Sequence, residues 1–465
     1  MKIRLVNSLL LIFSMAAGIW LSGCAADSTA TPEWKPLDVS KLGEPLTLEQ
    51  CLELIRQNDI HLAQWKARLD MAHAELISAK TIPNPTFGPS WDDMGLRDEE
   101  GESISNLTYG FSYPIFFWLP RNKEIAAAKA HSQAEMEGVL SEQRQLTIEV
   151  ASAYFGLVAD QRKIKLSENL LQLTGESMRL VSKQKELQIA SDYDLERVQV
   201  EQLKAESDLL EASNQLRLDQ LSFAFALGAD RPFYPDVTDC NDDFIQSLKS
   251  LISNEEIPAS VIETALQANP DWREKKAALV AAENQLLAEN RKAIPLADTA
   301  ASAGPKDAPE GWGSAFSFEI PIPLFNWNRG GISRAKAELT AAQAEEEKAR
   351  RGAIAVVTQA WERYRSLAIQ WNQYTKSITE LAQKNEQAAS RLFEEGQIEY
   401  EDFLIAQRDN KQAQLDALNI WLDTSSAAWI LSCVLGQRDH SVDAILDSIE
   451  SFGSPIGDAI INDDP

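Results

Sequence analysis

The sequence predicts a mainly α-helical fold, interrupted twice by a pair of β-strands and built as two tandem repeats of helix, strand, strand, long helix and return helix. Three observations predict it. Long stretches are dominated by Ala, Leu, Glu, Gln and Lys, with apolar residues at spacings of three, four and seven. Two shorter stretches alternate apolar and small polar residues, the period of a strand. A single junction also occurs twice, in residues 111–130 and 318–337: Pro114 meets Pro321, Ile125 meets Ile332, and Ala128-Lys129-Ala130 meets Ala335-Lys336-Ala337, at a constant offset of 207. Each copy begins as a strand, breaks at proline and becomes an Ala/Lys/Glu-rich helix.

The first residues form a targeting segment. Lys2 and Arg4 precede an apolar run over residues 9–20 that is too short for an ordinary spanning helix. Leu21-Ser-Gly-Cys24 resembles the lipobox of bacterial lipoproteins, which implies a signal peptide over 1–23 and lipidation of Cys24. Ala25 and Ala26, rather than Asp, follow the cysteine, which favours the outer membrane. A polar, Pro-containing tether continues to residue 46.

The first repeat is read over residues 47–228. Its first helix starts at Thr47 with Gln50 as capping-box partner and keeps helical spacing to about Lys80, where Pro83 and Pro85 end it. Strands occupy about 85–119. In the second, Leu107, Tyr109, Phe111 and Tyr113 point one way, and Thr108, Gly110 and Ser112 the other. The first, near 87–94, is weaker, with Phe87 and Trp91 on one face. The charged run 97–102 is a loop. A long helix comes next over 122–187, about 100 Å at 1.5 Å per residue. After a break at 189–194 a return helix ends at Leu227-Gly228. The first and return helices together match the long one, so two shorter helices should lie end to end beside it.

Residues 229–257 read as a linker, and everything then recurs over 258–436. Ile294-Pro295 answers Ile82-Pro83. Strands fall at about 296–325, first a weak one over 296–303, then one with Trp312, Phe316, Phe318 and Ile320 on one face, and Gly313, Ala315, Ser317 and Glu319 on the other. Along the return helix the offset is 208: Asp194 maps on Asp402, Gln199 on Gln407 and Leu227-Gly228 on Leu435-Gly436. The tail 437–465 is polar and acidic.

Four strands per chain are too few to close a barrel, and backbone in a bilayer must be fully paired. If these strands are membranous, several chains must complete the wall. The other reading is a water-soluble β-layer capping a coiled coil. A net charge of −26 with no basic stripe argues against nucleic acid. His61, His73, His131 and His440 are scattered, and no nucleophile motif or phosphate loop occurs. No enzyme activity, cofactor or metal site is therefore expected. Cys51, Cys240 and Cys433 make no CxxC and read as small residues inside helices or a linker, with one disulfide among the three as the other reading.

With its two repeats, the Pro-rich junction Ile320-Pro-Ile-Pro-Leu-Phe and the stretch Arg329-Gly-Gly-Ile-Ser-Arg-Ala-Lys, the chain resembles TolC-type outer membrane efflux proteins over about residues 45–440. The wording around Asn326-Trp-Asn-Arg329 is similar to the heavy-metal branch. The resemblance implies a homotrimer forming a twelve-stranded transmembrane β-barrel continued by a periplasmic α-helical tunnel. Its partners would be a periplasmic adaptor (membrane fusion) protein, an inner-membrane resistance-nodulation-division pump and outer membrane lipid. The function implied is a passive export duct for metal ions or small toxic compounds. A structural coiled-coil lipoprotein without channel activity is the competing class.

The resemblance also places a gating aspartate on Asp402, with Asp194 as its first-repeat counterpart. The family's second acidic position falls on Ile405 and its gate arginine on Ile398, departures that count against a salt-bridge lock. Two readings of Asp402 stand: a ring of three carboxylates selecting cations, or a helix cap. Glu399 and Glu401 crowd the same turn, and Gly396 is expected to make it tight. Pro83, Pro114, Pro295 and Pro321 are expected at the four strand–helix junctions.

Overall fold

A computed structural model describes residues 46–56, 59–97, 103–115, 117–188, 190–229, 256–295, 297–306 and 311–437, with backbone alone at 56, 59, 91–97, 103–107, 305–306 and 311–313. Cys24, the signal and tether, the loop 98–102, most of the linker, Cys240 and the tail from 438 lie outside the described residues.

Helix α1 (Leu48–Arg56) opens with the expected capping box: the Thr47 N–H donates to Gln50 Oε1 at 2.9 Å and the Gln50 N–H to Thr47 Oγ1 at 3.3 Å. Next in the chain are α2 (Asp59–Lys80), β1 (Thr86–Arg97), β2 (Ser103–Ile115), α3 (Trp118–Glu186) and α4 (Asp192–Ala226). The long helix begins four residues before the expected Asn122. Pro120 falls in its first turn, where the missing N–H has no partner to lose. The second repeat supplies α5 (Ala259–Ala268), α6 (Pro270–Lys292), β3 (Ala297–Lys306), β4 (Gly311–Glu319), α7 (Arg329–Gln373), a π-turn (Tyr374–Ile378), α8 (Thr379–Glu394) and α9 (Tyr400–Val434). Asn269 caps α6, accepting from the Trp272 N–H at 3.1 Å, with Pro270 at its first position.

The π-turn accounts for the change of offset. Ala130 pairs with Ala337 at 207, whereas the helix ends Glu186 and Glu394 pair at 208. One extra residue must therefore sit inside the second long helix. A π-turn absorbs one residue without rotating the helix downstream of it. Thr379 Oγ1 donates there to the Tyr374 carbonyl at 3.0 Å.

Helices α2 and α4 both lie along α3, and α9 lies along α7 and α8; α6 packs on both α3 and α7. Ion pairs cross the seam between α6 and α3. Arg273 pairs with Glu137 at 2.6 Å, Arg144 with Asp271 at 2.7 Å and Lys292 with Glu124 at 3.0 Å. Burial raises the Glu137 pKa and Arg273 opposes it. The main core draws on both repeats: Tyr154, Leu157, Trp361, Tyr364, Trp421 and Trp429 are all buried there, together with the thiols Cys51 and Cys433. Burial pushes the Tyr364 phenol up to about 12.

The four strands form one antiparallel sheet in the order β1-β2-β3-β4. Directly paired residues share a face, so the register builds rows across it. Phe87, Phe111, Ala301 and Phe316 form one row, and Tyr113, Thr299 and Phe318 the next. The opposite face carries Thr86, Ser112, Ala300 and Ser317, then Gly88, Gly110, Ser302 and Ala315. Phe87 stacks on Tyr109 with centroids 6.2 Å apart. The outer edges of β1 and β4 pair with no strand among the described residues. Both weak strands are longer than expected. β1 passes a register shift between Asp92 and Leu96, and β3 runs on to Lys306, beyond the 303 at which the sequence pattern ends it. Pro83, Pro295 and Pro321 do lie between helix and strand. Pro114 is instead inside β2, opposite Asp298 and next to the strand end, where a missing donor costs little. Among the described residues, no helix is long and apolar enough to cross a membrane.

Candidate functional site

Far from the sheet, each repeat reverses direction between its long and return helices. In the second repeat the Glu395, Gly396 and Gln397 N–H groups donate to the Arg391, Phe393 and Leu392 carbonyls at 3.0, 3.0 and 2.8 Å. Gly396 takes φ 72°, as expected for the tight turn. The equivalent position in the first repeat is Gln188, which holds φ 63° despite its side chain.

The two aspartates differ. Asp194 belongs to a capping box with Ser191: its N–H donates to Ser191 Oγ at 3.2 Å, and its Oδ2 accepts from the Ser191 N–H at 2.9 Å and hydroxyl at 2.6 Å. The hydroxyl and then the backbone hydrogen bond hold its carboxyl below the ordinary aspartate value. At α9 the N-cap residue is Glu399, which makes no capping bond, and Asp402 lies three positions inside the helix. The Asp402 carboxylate is exposed and, among the described residues, makes no hydrogen bond or ion pair. The cap reading thus describes Asp194 and not Asp402, although both lie where the helix dipole favours negative charge.

Beneath the turns is a small apolar core of Val181, Val198, Phe393, Tyr400, Phe403 and Leu404, with Ile398 packed against it. Phe393 stacks on Phe403 at 5.2 Å. Burial, with the nearby Glu201 charge, pushes the Tyr400 phenol up to about 12. Ile405 is exposed. Ile398 is therefore an apolar tip contact and Ile405 an uncharged surface residue.

The sequence reading missed the contacts that join the repeats here. Arg197 pairs with Glu401 at 3.2 Å, Arg408 with Glu201, and Lys411 with Asp208 at 2.5 Å. Burial would raise the Glu201 pKa, but hydrogen bonds from Lys204 and Arg408 carry it below its ordinary value. Opposite charges recurring on α4 and α9 were the available signal. Glu201, Asp208, Arg408 and Lys411, with Leu170 and Leu404, line an open cleft of about 370 Å³. Among the described residues, no three His, Cys, Asp or Glu side chains are placed to hold a metal.

Comparison with known proteins gives this geometry its context. The cobalt-zinc-cadmium resistance protein CzcC of Cupriavidus metallidurans is 25% identical over 427 residues, covering 89% of this chain and 95% of that protein. Solved structures share the fold. The outer membrane protein VceC of Vibrio cholerae superposes with a TM-score of 0.68 at 18% identity, over 84% of this chain and 96% of that one. CusC superposes with a TM-score of 0.70 at 19% identity, over 88% and 99%. The sequence matches the profile of the outer membrane efflux proteins over residues 51–229 and 261–437, one match per repeat, and the chain belongs to that family.

Proposed function

We propose that three copies of this chain close one outer-membrane export duct: a twelve-stranded barrel continued by a periplasmic helical tunnel. The observation that carries this reading is the sheet itself. Among the described residues it has four strands, two edges without a strand partner, an aromatic face and a Thr/Ser/Gly/Ala face, which suits a segment of a wall with a lipid side and a wet side. Helix α4 supports the same arrangement, since Val200, Leu203, Leu210, Leu218 and Leu221 stand exposed along it at mostly heptad-like spacing, a seam suited to another copy.

In this reading residues 1–23 are a signal peptide, Cys24 carries the lipid, 24–46 is the tether, and 47–228 and 258–436 are the two efflux repeats joined by 229–257. The helical tips face a periplasmic adaptor, which couples the duct to an inner-membrane resistance-nodulation-division pump. The cargo is metal ions; CzcC, named for cobalt, zinc and cadmium resistance, supports that choice over other toxic compounds. In this reading the pump drives transport and the duct is passive. Asp402, exposed at the tip, forms a threefold carboxylate ring favouring cations.

Purified protein in planar bilayers is expected to pass ions with cation preference, and Asp402→Ala to reduce that preference. Absence of conductance in any lipid would favour a structural coiled-coil lipoprotein. Unchanged selectivity in Asp402→Ala would remove the ring.

A further inference from the structure

We infer that the band where strands become helices binds anionic glycerophospholipid in the leaflet facing the helices; this rests on the barrel reading and adds a headgroup preference to it. The segment after β4 leaves its apolar side chains uncovered. Phe325 is 98% exposed and Ile322 75%, with Leu324 and Trp327 beside them. This strip continues the exposed Phe316 and Phe318 of β4. Immediately beyond it come Arg329, Arg334 and Lys336, all exposed.

In an acidic chain this placement of charge is unusual. Residues 320–337 carry those three cations and no carboxylate, and residues 111–130 carry Arg121, Lys123 and Lys129 against Glu124 alone. Arg334 shares its charge with Glu338 at 2.7 Å, whereas Arg329, Lys129 and Lys336 make no ion pair among the described residues.

The structure ties these stretches into one tier. Arg121 donates to the Lys80 carbonyl, Arg291 to the Leu119 carbonyl at 3.0 Å, and Asn328 Nδ2 to the Glu289 carbonyl at 2.8 Å. The ends of α2 and α6 and the starts of α3 and α7 therefore lie side by side. Asn328 holds φ 53° and fixes where the loop turns into α7. Apolar and indole groups at the edge of the hydrocarbon, with cations within about 10 Å along the helix axis, match the depth of lipid phosphates. Each cation near such a surface adds attraction that decays over about one Debye length.

The test uses the full-length protein in detergent, offered equimolar phosphatidylglycerol, phosphatidylethanolamine and lipid A, with retained lipid counted by native mass spectrometry. Wild type is expected to retain phosphatidylglycerol about fivefold over phosphatidylethanolamine. The preference should fall as salt is raised. Arg329→Gln/Arg334→Gln/Lys336→Gln should bring the ratio near one. Arg363→Gln/Lys376→Gln/Lys384→Gln, on the helical shaft, should leave it unchanged.

Equal retention by wild type, a salt-insensitive ratio, preference for lipid A, a ratio that survives the first triple or one lost in the second would each overturn the inference. Should the first triple fail to assemble, the wild-type salt series decides. Planar-bilayer conductance of the same wild-type sample separates the two levels: conductance without lipid preference overturns the headgroup inference alone, whereas absent conductance overturns the barrel reading.

Discussion

In the first repeat the turn between α3 and α4 is closed by Ser191 and Asp194 around Gln188 at φ 63°. In the second, Gly396 takes the same place at φ 72°, and Glu399 and Asp402 make no such bonds. The long helices differ too: α3 is regular throughout, while the second carries the π-turn at Tyr374–Ile378. A third contrast lies between long and return helices. Burial, then the hydrogen bond and charge of Asp219, push the Asp160 carboxyl up to about 7 against the pull of Lys163; the equivalent second-repeat residues are Leu367 and Ala427. Duplication thus preserved the path of the backbone while the local means of holding it diverged. The second repeat uses glycine, apolar contacts and a bulge where the first uses polar side chains. Its carboxylate at Asp402 is left exposed, without a capping bond.

The largest expected effect breaks this comparison at the long helices. Deleting Glu168 from α3 rotates everything after it by about 100°, which swings Val181 out of the tip core, so a loss of about 4 kcal/mol or more is expected. Deleting Lys376 from the π-turn instead restores a regular helix with downstream phase intact, and the cost should stay within about 1 kcal/mol. Chemical denaturation of both deletions checks the contrast.

Next comes the carboxylate pair. Because the folded-state pKa of Asp160 is raised, the folded state binds the extra proton, and stability should fall as pH rises from about 4 to about 7. Asp160→Leu with Asp219→Ala, the second-repeat residues, should remove that slope and add about 2 kcal/mol at pH 8, a value halved because Asp160 is only half-buried. Melting curves across pH 4–8 measure it.

Smaller effects belong to the turns. Ser191→Ala should cost about 1 kcal/mol. The lowered pKa of Asp194 gives the opposite pH sense: its contribution is present above the ordinary aspartate value and lost as pH falls through the folded-state value. Glu399→Ser should build the missing capping box around Asp402, stabilising α9 by about 0.5 kcal/mol and weakening cation preference. Smallest, Gln188→Gly should gain about 0.5 kcal/mol by relieving the left-handed backbone, measured as a shift in denaturation midpoint.

Much of this architecture was legible because it rests on periodicity. The capping box at Thr47, the end-to-end pairing of α2 and α4 along α3, and the offset shared by Leu227-Gly228 and Leu435-Gly436 all come from spacing alone. The offset change from 207 to 208 was legible too, though its cause, a bulge inside a helix, leaves no residue signature. Less legible were features decided by partners distant in sequence. β1 and β3 lack strong alternation and gain their length from the ladder with β2, and Pro114 is tolerated inside a strand because it lies next to the end. At the tip, the Ser191-to-Asp194 spacing announced a cap that the sequence reading assigned to a gate. The pairs of Arg197, Glu201 and Asp208 with α9 leave opposite charges on the two helices as their only trace in the sequence, and which charges meet depends on tertiary packing.

All of this depends on one chain being an open-edged fraction of a wall. The mass of the purified, detergent-solubilised protein by native mass spectrometry tests that most directly. Three copies per particle are predicted, and a stable particle holding a single copy would contradict the account.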